Sequence, residues 1–294
     1  MKFGRQLNNV LAVACLLFVM SCRTVLSQGP TISDLPYDVV HKSQCLDVYL
    51  TSSDKPTPAM IYIHGGGWRA GSKKRVPEWL KVFVADGQLS VIAVEYRFTS
   101  VATHPAQVTD CMRAVQFVRH NAKAWKIDPE RIGVTGGSAG GHLSAYVALH
   151  DDVAITDSND VVQRYSSRVT CAVSFAGPTD WSLLGTIEHG HPAYRQLLGY
   201  TPDTPVSRMK AELLRDVSPI SFASRDDPPI MQIHGDHDDV VPLQHASNLH
   251  SRLESLGVNS ELVVIPGGKH AVAGAGGMHA KRATEFVRKQ LIDR

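Results

Sequence analysis

Arg131-Ile132-Gly133-Val134-Thr135-Gly136-Gly137-Ser138-Ala139-Gly140-Gly141-His142-Leu143 is the stretch on which the reading of this chain turns. A β-rich run, Arg131 to Thr135, enters it, and a helical run from His142 to Leu149 leaves it. Between them, Gly136-Gly137-Ser138-Ala139-Gly140 has the form G-x-S-x-G. A serine at a sharp strand-to-helix turn needs small residues at both flanking positions, because a Cβ there would collide with the turning backbone. Such a turn lifts the Ser138 hydroxyl above a sheet edge, with a helix N-terminus beneath it. The pattern therefore predicts a nucleophile elbow.

Outward from the elbow, short β-rich runs alternate with helical ones. Strands are expected at Asp47–Leu50, Ala59–His64, Val91–Tyr96, Ile132–Thr135, Thr170–Phe175, Pro229–His234 and Glu261–Ile265. Continuous apolar runs such as Met60-Ile61-Tyr62-Ile63 suit a sheet covered on both faces. Helices are expected at Pro105–Asn121, Gly141–His150, Leu243–Leu256 and Lys281–Ile292, the first with Val108, Met112, Val115 and Val118 at helical spacing. Strand–helix alternation gives an α/β fold with a mostly parallel central sheet flanked by helices. One segment breaks the rhythm: residues 181–227, with Pro192, Pro202, Pro205 and Pro219, are too long for a plain connection and read as a modest cap.

A serine hydroxyl needs an activating base and a site for the charge it creates. His64-Gly65-Gly66-Gly67-Trp68 closes an earlier strand, and three consecutive glycines can turn backbone N–H groups toward one point. The amides of Gly66, Gly67 and Ala139 are the expected oxyanion hole, where losing one donor typically costs about 3 kcal/mol of barrier. A phosphate loop would add a Lys and a Ser or Thr that this run lacks. His270, in Gly267-Gly268-Lys269-His270 after the last strand, is the expected base. His234-Gly235-Asp236-His237-Asp238-Asp239-Val240-Val241-Pro242 offers three carboxylates to orient it. Trp68 either lines the substrate pocket or packs in the core.

These motifs, in this order, resemble the α/β-hydrolase esterases, above all the bacterial acetylxylan and feruloyl esterase-like branch beside the hormone-sensitive-lipase type. The likeness extends to His104-Pro105-Ala106-Gln107, Asp110 and Ile127-Asp128-Pro129-Glu130-Arg131-Ile132, and covers roughly residues 35 to 292. It implies a serine carboxylesterase with the triad Ser138, Asp238 and His270, acting on short-chain acyl esters such as acetyl or feruloyl groups on carbohydrates, without metal or cofactor. The family pattern places its acid at Asp238; the additional carboxylate of Asp239 departs from that pattern. Amide cleavage of the formamidase or peptidase kind, and a non-catalytic binding protein on the same scaffold, are the rival classes.

Other groups have plainer readings. His64 braces the glycine loop, and His142 packs beneath the elbow. His189 and His191 form an H-x-H without a third ligand at a telling spacing, and the acids around Asp238 lack the loop pattern of a calcium site. Asp180 is the rival orienting acid, with capping as the alternative. The 294 residues, 43% apolar and 20% charged, form ample material for one large domain. The formal charge of +2 includes Lys2, Arg5 and Arg23 in an acid-free leader, so the body is nearly neutral and lacks the basic field of a nucleic-acid binder. Residues 1–27 read as an export signal: a basic start, then an apolar stretch from Val10 to Met20 that is too short to span a bilayer. Cleavage after Val25-Leu26-Ser27, or a lipid anchor at Cys22, would release an exported domain over residues 28–294. Of five cysteines, Cys45, Cys111 and Cys171 then remain, an odd set that suits buried thiols better than a disulfide framework.

Overall fold

The computed structural model describes residues 29–184, 191–274 and 277–294. The leader and its cleavage or lipidation sites lie outside them. Eight strands form one sheet: β1 Ile32–Pro36, β2 Cys45–Tyr49, β3 Thr57–Ile63, β4 Ser90–Val94, β5 Ile127–Gly137, β6 Cys171–Phe175, β7 Ile230–Gly235 and β8 Ser260–Ile265. Their order across the sheet is β1-β2-β4-β3-β5-β6-β7-β8. The β1–β2 and β2–β4 pairings are antiparallel and the remaining five are parallel.

Period-two alternation divides the central strands between two cores. Ala59, Ile61, Ile63, Ile92, Val94, Ile132 and Val134 face one way. There they meet α2 (Ala106–Trp125), α3 (Ala139–Leu149) and α6 (Gln244–Ser255). Met60, Tyr62, Val91, Ala93, Val173 and Phe175 face the other way, against α1 (Glu78–Ala85) and α7 (Gly277–Val287). With both faces covered, nearly every residue of β3, β4 and β6 is buried, so the strands read as unbroken apolar runs. Each large aliphatic side chain so buried contributes about 1.5–3 kcal/mol.

The expected α/β architecture holds, with local differences. Strand β1 was not expected; it is a half-exposed antiparallel edge with an irregular register, and carries no apolar run. Helix α1 was also missed, being short and introduced by Pro77. Helix α2 continues past Asn121 to Trp125, because Ala122 and Trp125 extend its buried stripe, and Lys126 ends it in the left-handed conformation (φ 52°). Cys45, Cys111 and Cys171 are free thiols, Cys111 and Cys171 buried.

Strand order reverses between β3 and β5, which are neighbours although β4 lies between them in sequence. Loops leaving the carboxyl ends of adjacent strands diverge at such a switch point and open a crevice. Here those loops are the glycine run after β3 and the turn after β5.

Within residues 181–227 the described part is helical: a 3₁₀ turn Trp181–Leu183, α4 Pro192–Leu197, a 3₁₀ turn Val206–Arg208, α5 Ala211–Asp216 and a 3₁₀ turn Pro219–Phe222. Trp181, Tyr194, Leu197 and Val217 belong to the same core cluster as α2 and α3. Among the described residues, this segment is rooted in the domain core and forms a wall beside the crevice.

Candidate active site

Ser138 sits at the end of β5 with φ 55° and ψ −122°, a conformation that strains a residue bearing a Cβ. The Ser138 N–H donates to Phe175 O at 2.8 Å, and the His142 N–H donates to Ser138 O at 3.0 Å. The turn is possible because backbone approaches backbone on either side of it. A Cβ on Gly136 or Gly140 would lie 2.3 or 2.0 Å from Ile63 O.

His270 Nε2 lies 2.9 Å from Ser138 Oγ, and His270 Nδ1 lies 2.8 Å from Asp238 Oδ2. The other carboxylate oxygen of Asp238 accepts the N–H groups of Val240 and Val241, each at 2.9 Å. Burial opposes ionisation of Asp238, but the His270 hydrogen bond and these two amides outweigh it, and the carboxyl is held below its ordinary range. An ionised Asp238 accepts a hydrogen bond from the Nδ1–H of His270, which leaves the Nε2 lone pair facing the hydroxyl.

The neighbouring acids have other duties. Asp236 Oδ1 accepts the Gly267 N–H at 2.7 Å and pins the loop that leads to His270. Asp239 is exposed. Asp180 caps the turn that follows it, accepting Ser182 N–H at 3.0 Å, while its second oxygen takes Asn248 Nδ2 at 2.9 Å.

The glycine run turns back on itself: Gly66 and Gly67 have φ 117° and 59°, and Gly66 O accepts the N–H groups of Arg69 and Ala70. Among the described residues, the amides of Gly66, Gly67 and Ala139 donate to no backbone carbonyl. Gly66 and Gly67 border the same cavity as Ser138 and His270, and Ala139 opens α3 directly after Ser138. A hydroxyl activated by an imidazole–carboxylate pair can attack a carbonyl, and the uncommitted donors beside it can hold the charge that develops. His64 braces this loop: its Nδ1 lies 2.7 Å from Gly65 O, its Nε2 lies 2.8 Å from Glu95 Oε1, and its ring stacks on Tyr96.

The cavity measures about 490 Å³, within the usual size range of small-molecule sites. Trp68 borders it but is only 2% exposed, and its indole N–H donates to His142 Nδ1 at 3.1 Å. The indole is thus largely a packed one and reaches the cavity as part of its wall. His142 Nε2 lies 2.8 Å from Val217 O. With an indole donor on one nitrogen and a carbonyl on the other, the ring is neutral, and burial pushes its pKa down to about 3. Sequence reasoning missed Tyr62, Arg69 and Tyr194, which also line the cavity. Tyr62 falls in an apolar strand run that reads as core, Tyr194 lies within the segment read as a cap, and Arg69 carries no local signal. His191 borders the cavity and accepts the Ala193 N–H at the start of α4, while His189 lies outside the described residues. Among the described residues, no group of three or more His, Cys, Asp or Glu side chains could hold a metal, and no helix is long and apolar enough to cross a membrane.

The BD-FAE family model matches residues 46–253. "Probable carboxylic ester hydrolase LipM" of Mycobacterium tuberculosis is 29% identical over 268 residues, 88% of this chain and 60% of that protein. The chain thus spans about 60% of the length of this curated relative. A solved structure described as a truncated carbohydrate esterase from gut microbiota is 29% identical with a TM-score of 0.77, over 90% of this chain and 99% of that one. An acetyl ester-xyloside bifunctional hydrolase from Caldicellulosiruptor lactoaceticus is 26% identical with a TM-score of 0.71, over 92% of each chain. A match across most of the folded chain, joined to the strand order and the elbow described above, leads to one conclusion: this chain belongs to the BD-FAE family of α/β-hydrolases.

Proposed function

We propose that the chain is a serine carboxylesterase that removes short acyl groups, acetyl or feruloyl, from carbohydrates. The observation that carries this reading is the unbroken chain of hydrogen bonds from Ser138 Oγ through His270 to Asp238, at 2.9 and 2.8 Å. The carboxylic ester hydrolase and carbohydrate esterase names among its relatives support ester over amide cleavage.

In this scheme His270 takes the proton of Ser138 as the oxygen attacks the ester carbonyl. The amides of Gly66, Gly67 and Ala139 hold the oxyanion, and His270 returns the proton to the departing alcohol. Water then attacks the acyl-enzyme by the same route and regenerates Ser138. Asp238 stays ionised throughout and supports the imidazolium that forms twice in each cycle. The test is hydrolysis of 4-nitrophenyl acetate and of acetylated xylose by wild type and Ser138→Ala. We expect turnover to fall about 10⁴-fold or more in the variant, with the unfolding midpoint retained. Turnover within about tenfold of wild type would overturn the assignment of Ser138, and a folded wild type inert toward every ester would overturn the esterase reading.

A further inference from the structure

A second chamber of about 260 Å³ lies against the catalytic cavity, and Tyr62, Gly137 and Gly274 line both. Its remaining walls come from Trp79, Phe175, Thr135, Pro77 and Arg75, on the side of the sheet covered by α1 and α7. At that size it admits part of a ligand, since whole small-molecule sites start near about 300 Å³.

Its polar groups are of one kind. The Trp79 indole N–H is buried without a partner, although Trp79 is 8% exposed. Among the described residues, the Tyr62 hydroxyl makes no hydrogen bond, and Arg75, solvent-exposed, has no ion pair. Burial pushes the Tyr62 phenol up to about 12, so the hydroxyl keeps its proton and can donate. The Thr135 hydroxyl already donates to Val173 O. Among the described residues, no carboxylate lines the chamber. A half-enclosed space with aromatic walls, two unpartnered neutral donors and one cation suits a short apolar chain with an anionic acceptor at its end.

We propose that this chamber receives the acyl group and, among acyl chains of equal length, favours those ending in a carboxylate, so that half-esters of short dicarboxylic acids are substrates beside the acetyl esters; the inference rests on the esterase reading above. The assignment to the acyl side follows from the position of the proton donor. The departing alcohol takes its proton from His270, and His270 borders the large cavity but not the chamber. The alcohol therefore lies in the large cavity, and the acyl chain is left with the adjoining space past Gly137.

The test compares kcat/KM for monoethyl glutarate and ethyl valerate, which have acyl chains of equal carbon number, followed by pH-stat. 4-Nitrophenyl acetate reports on the esterase reading itself. Wild type should prefer the half-ester by about tenfold or more, the scale of one hydrogen bond to a charged group. That preference should shrink in high salt, because Arg75 is exposed and screened. Arg75→Gln should cut the ratio about tenfold, and Tyr62→Phe by a smaller factor. Because the readout is a ratio within one variant, partial unfolding does not mimic the effect. Acetate turnover with a ratio at or below one, or a ratio unmoved in Arg75→Gln, overturns the chamber assignment alone. Absence of turnover on all three esters overturns the esterase reading and this inference with it.

Discussion

The elbow after β5 and the wall formed by residues 191–227 flank the same hydroxyl, yet they are held by different forces. At the elbow, backbone touches backbone: Gly136 and Gly140 close on the Ile63 carbonyl, leaving no room for a side chain. At the wall, side chains carry the contact. Trp68, Trp181, Tyr194 and His142 form one aromatic group, stitched by the Trp68–His142–Val217 hydrogen bonds. Steric exclusion has no graded response, whereas an aromatic group built around neutral, buried imidazoles responds to protons. The elbow should fail abruptly on substitution and the wall should loosen with pH.

The largest effect should follow from adding one methyl group to the elbow. In Gly140→Ala the new Cβ meets backbone on both β3 and the following loop, and neither can yield like a side chain. We expect a loss of about 3 kcal/mol or more in urea unfolding, together with esterase activity. A variant as stable and active as wild type would show that the elbow is softer than its contacts imply.

Acid should separate the two regions next. Burial pushes His142 and His245 down to about 3, against an ordinary value of 6.5. The folded state therefore refuses protons that the unfolded chain accepts below pH 6.5. Their contribution is complete above pH 6.5 and is lost progressively as pH falls from there toward 3. We expect the urea midpoint at pH 4.5 to lie clearly below that at pH 7.5, with the emission of Trp68 and Trp181, which pack against Tyr194 of the wall, shifting first when it is isolated in a Trp79→Phe, Trp125→Phe background. A midpoint flat across this range, or emission that changes only with global unfolding, would remove the distinction.

The smallest effect concerns the acid beside the wall. Asp180→Ala removes the cap of Trp181–Leu183 and the bond from Asn248, and should cost about 1 kcal/mol. Ester turnover should stay within about twofold, the modest change expected of a group outside the proton path. A collapse of turnover comparable to that of Ser138→Ala would move the orienting role from Asp238 to Asp180.

The chemistry was legible because its residue types are rare at such spacings. Glycines on both sides of Ser138, three glycines after His64 and a histidine after the last strand each answer to one steric or protonic demand. The choice among Asp236, Asp238 and Asp239 was open to residue types alone, and only the family pattern favoured Asp238. In the structure, Asp236 turns to Gly267, Asp239 to solvent and Asp238 to His270. Strand β1 was illegible because an exposed antiparallel edge carries no apolar period. Helix α1 was illegible because eight residues barely display one.

Alone, the order of residues determined the alternation of strands and helices, the sharp turn at Ser138 and the glycine loop facing it, since each depends on backbone freedom and hydrophobic period within a few neighbouring positions. Tertiary structure decided which carboxylate meets His270, that Trp68 is mostly packed rather than free, and that Tyr62, Trp79 and Arg75 share a chamber. Those outcomes depend on residues brought together from different strands and loops, and such proximity is a property of the packed sheet.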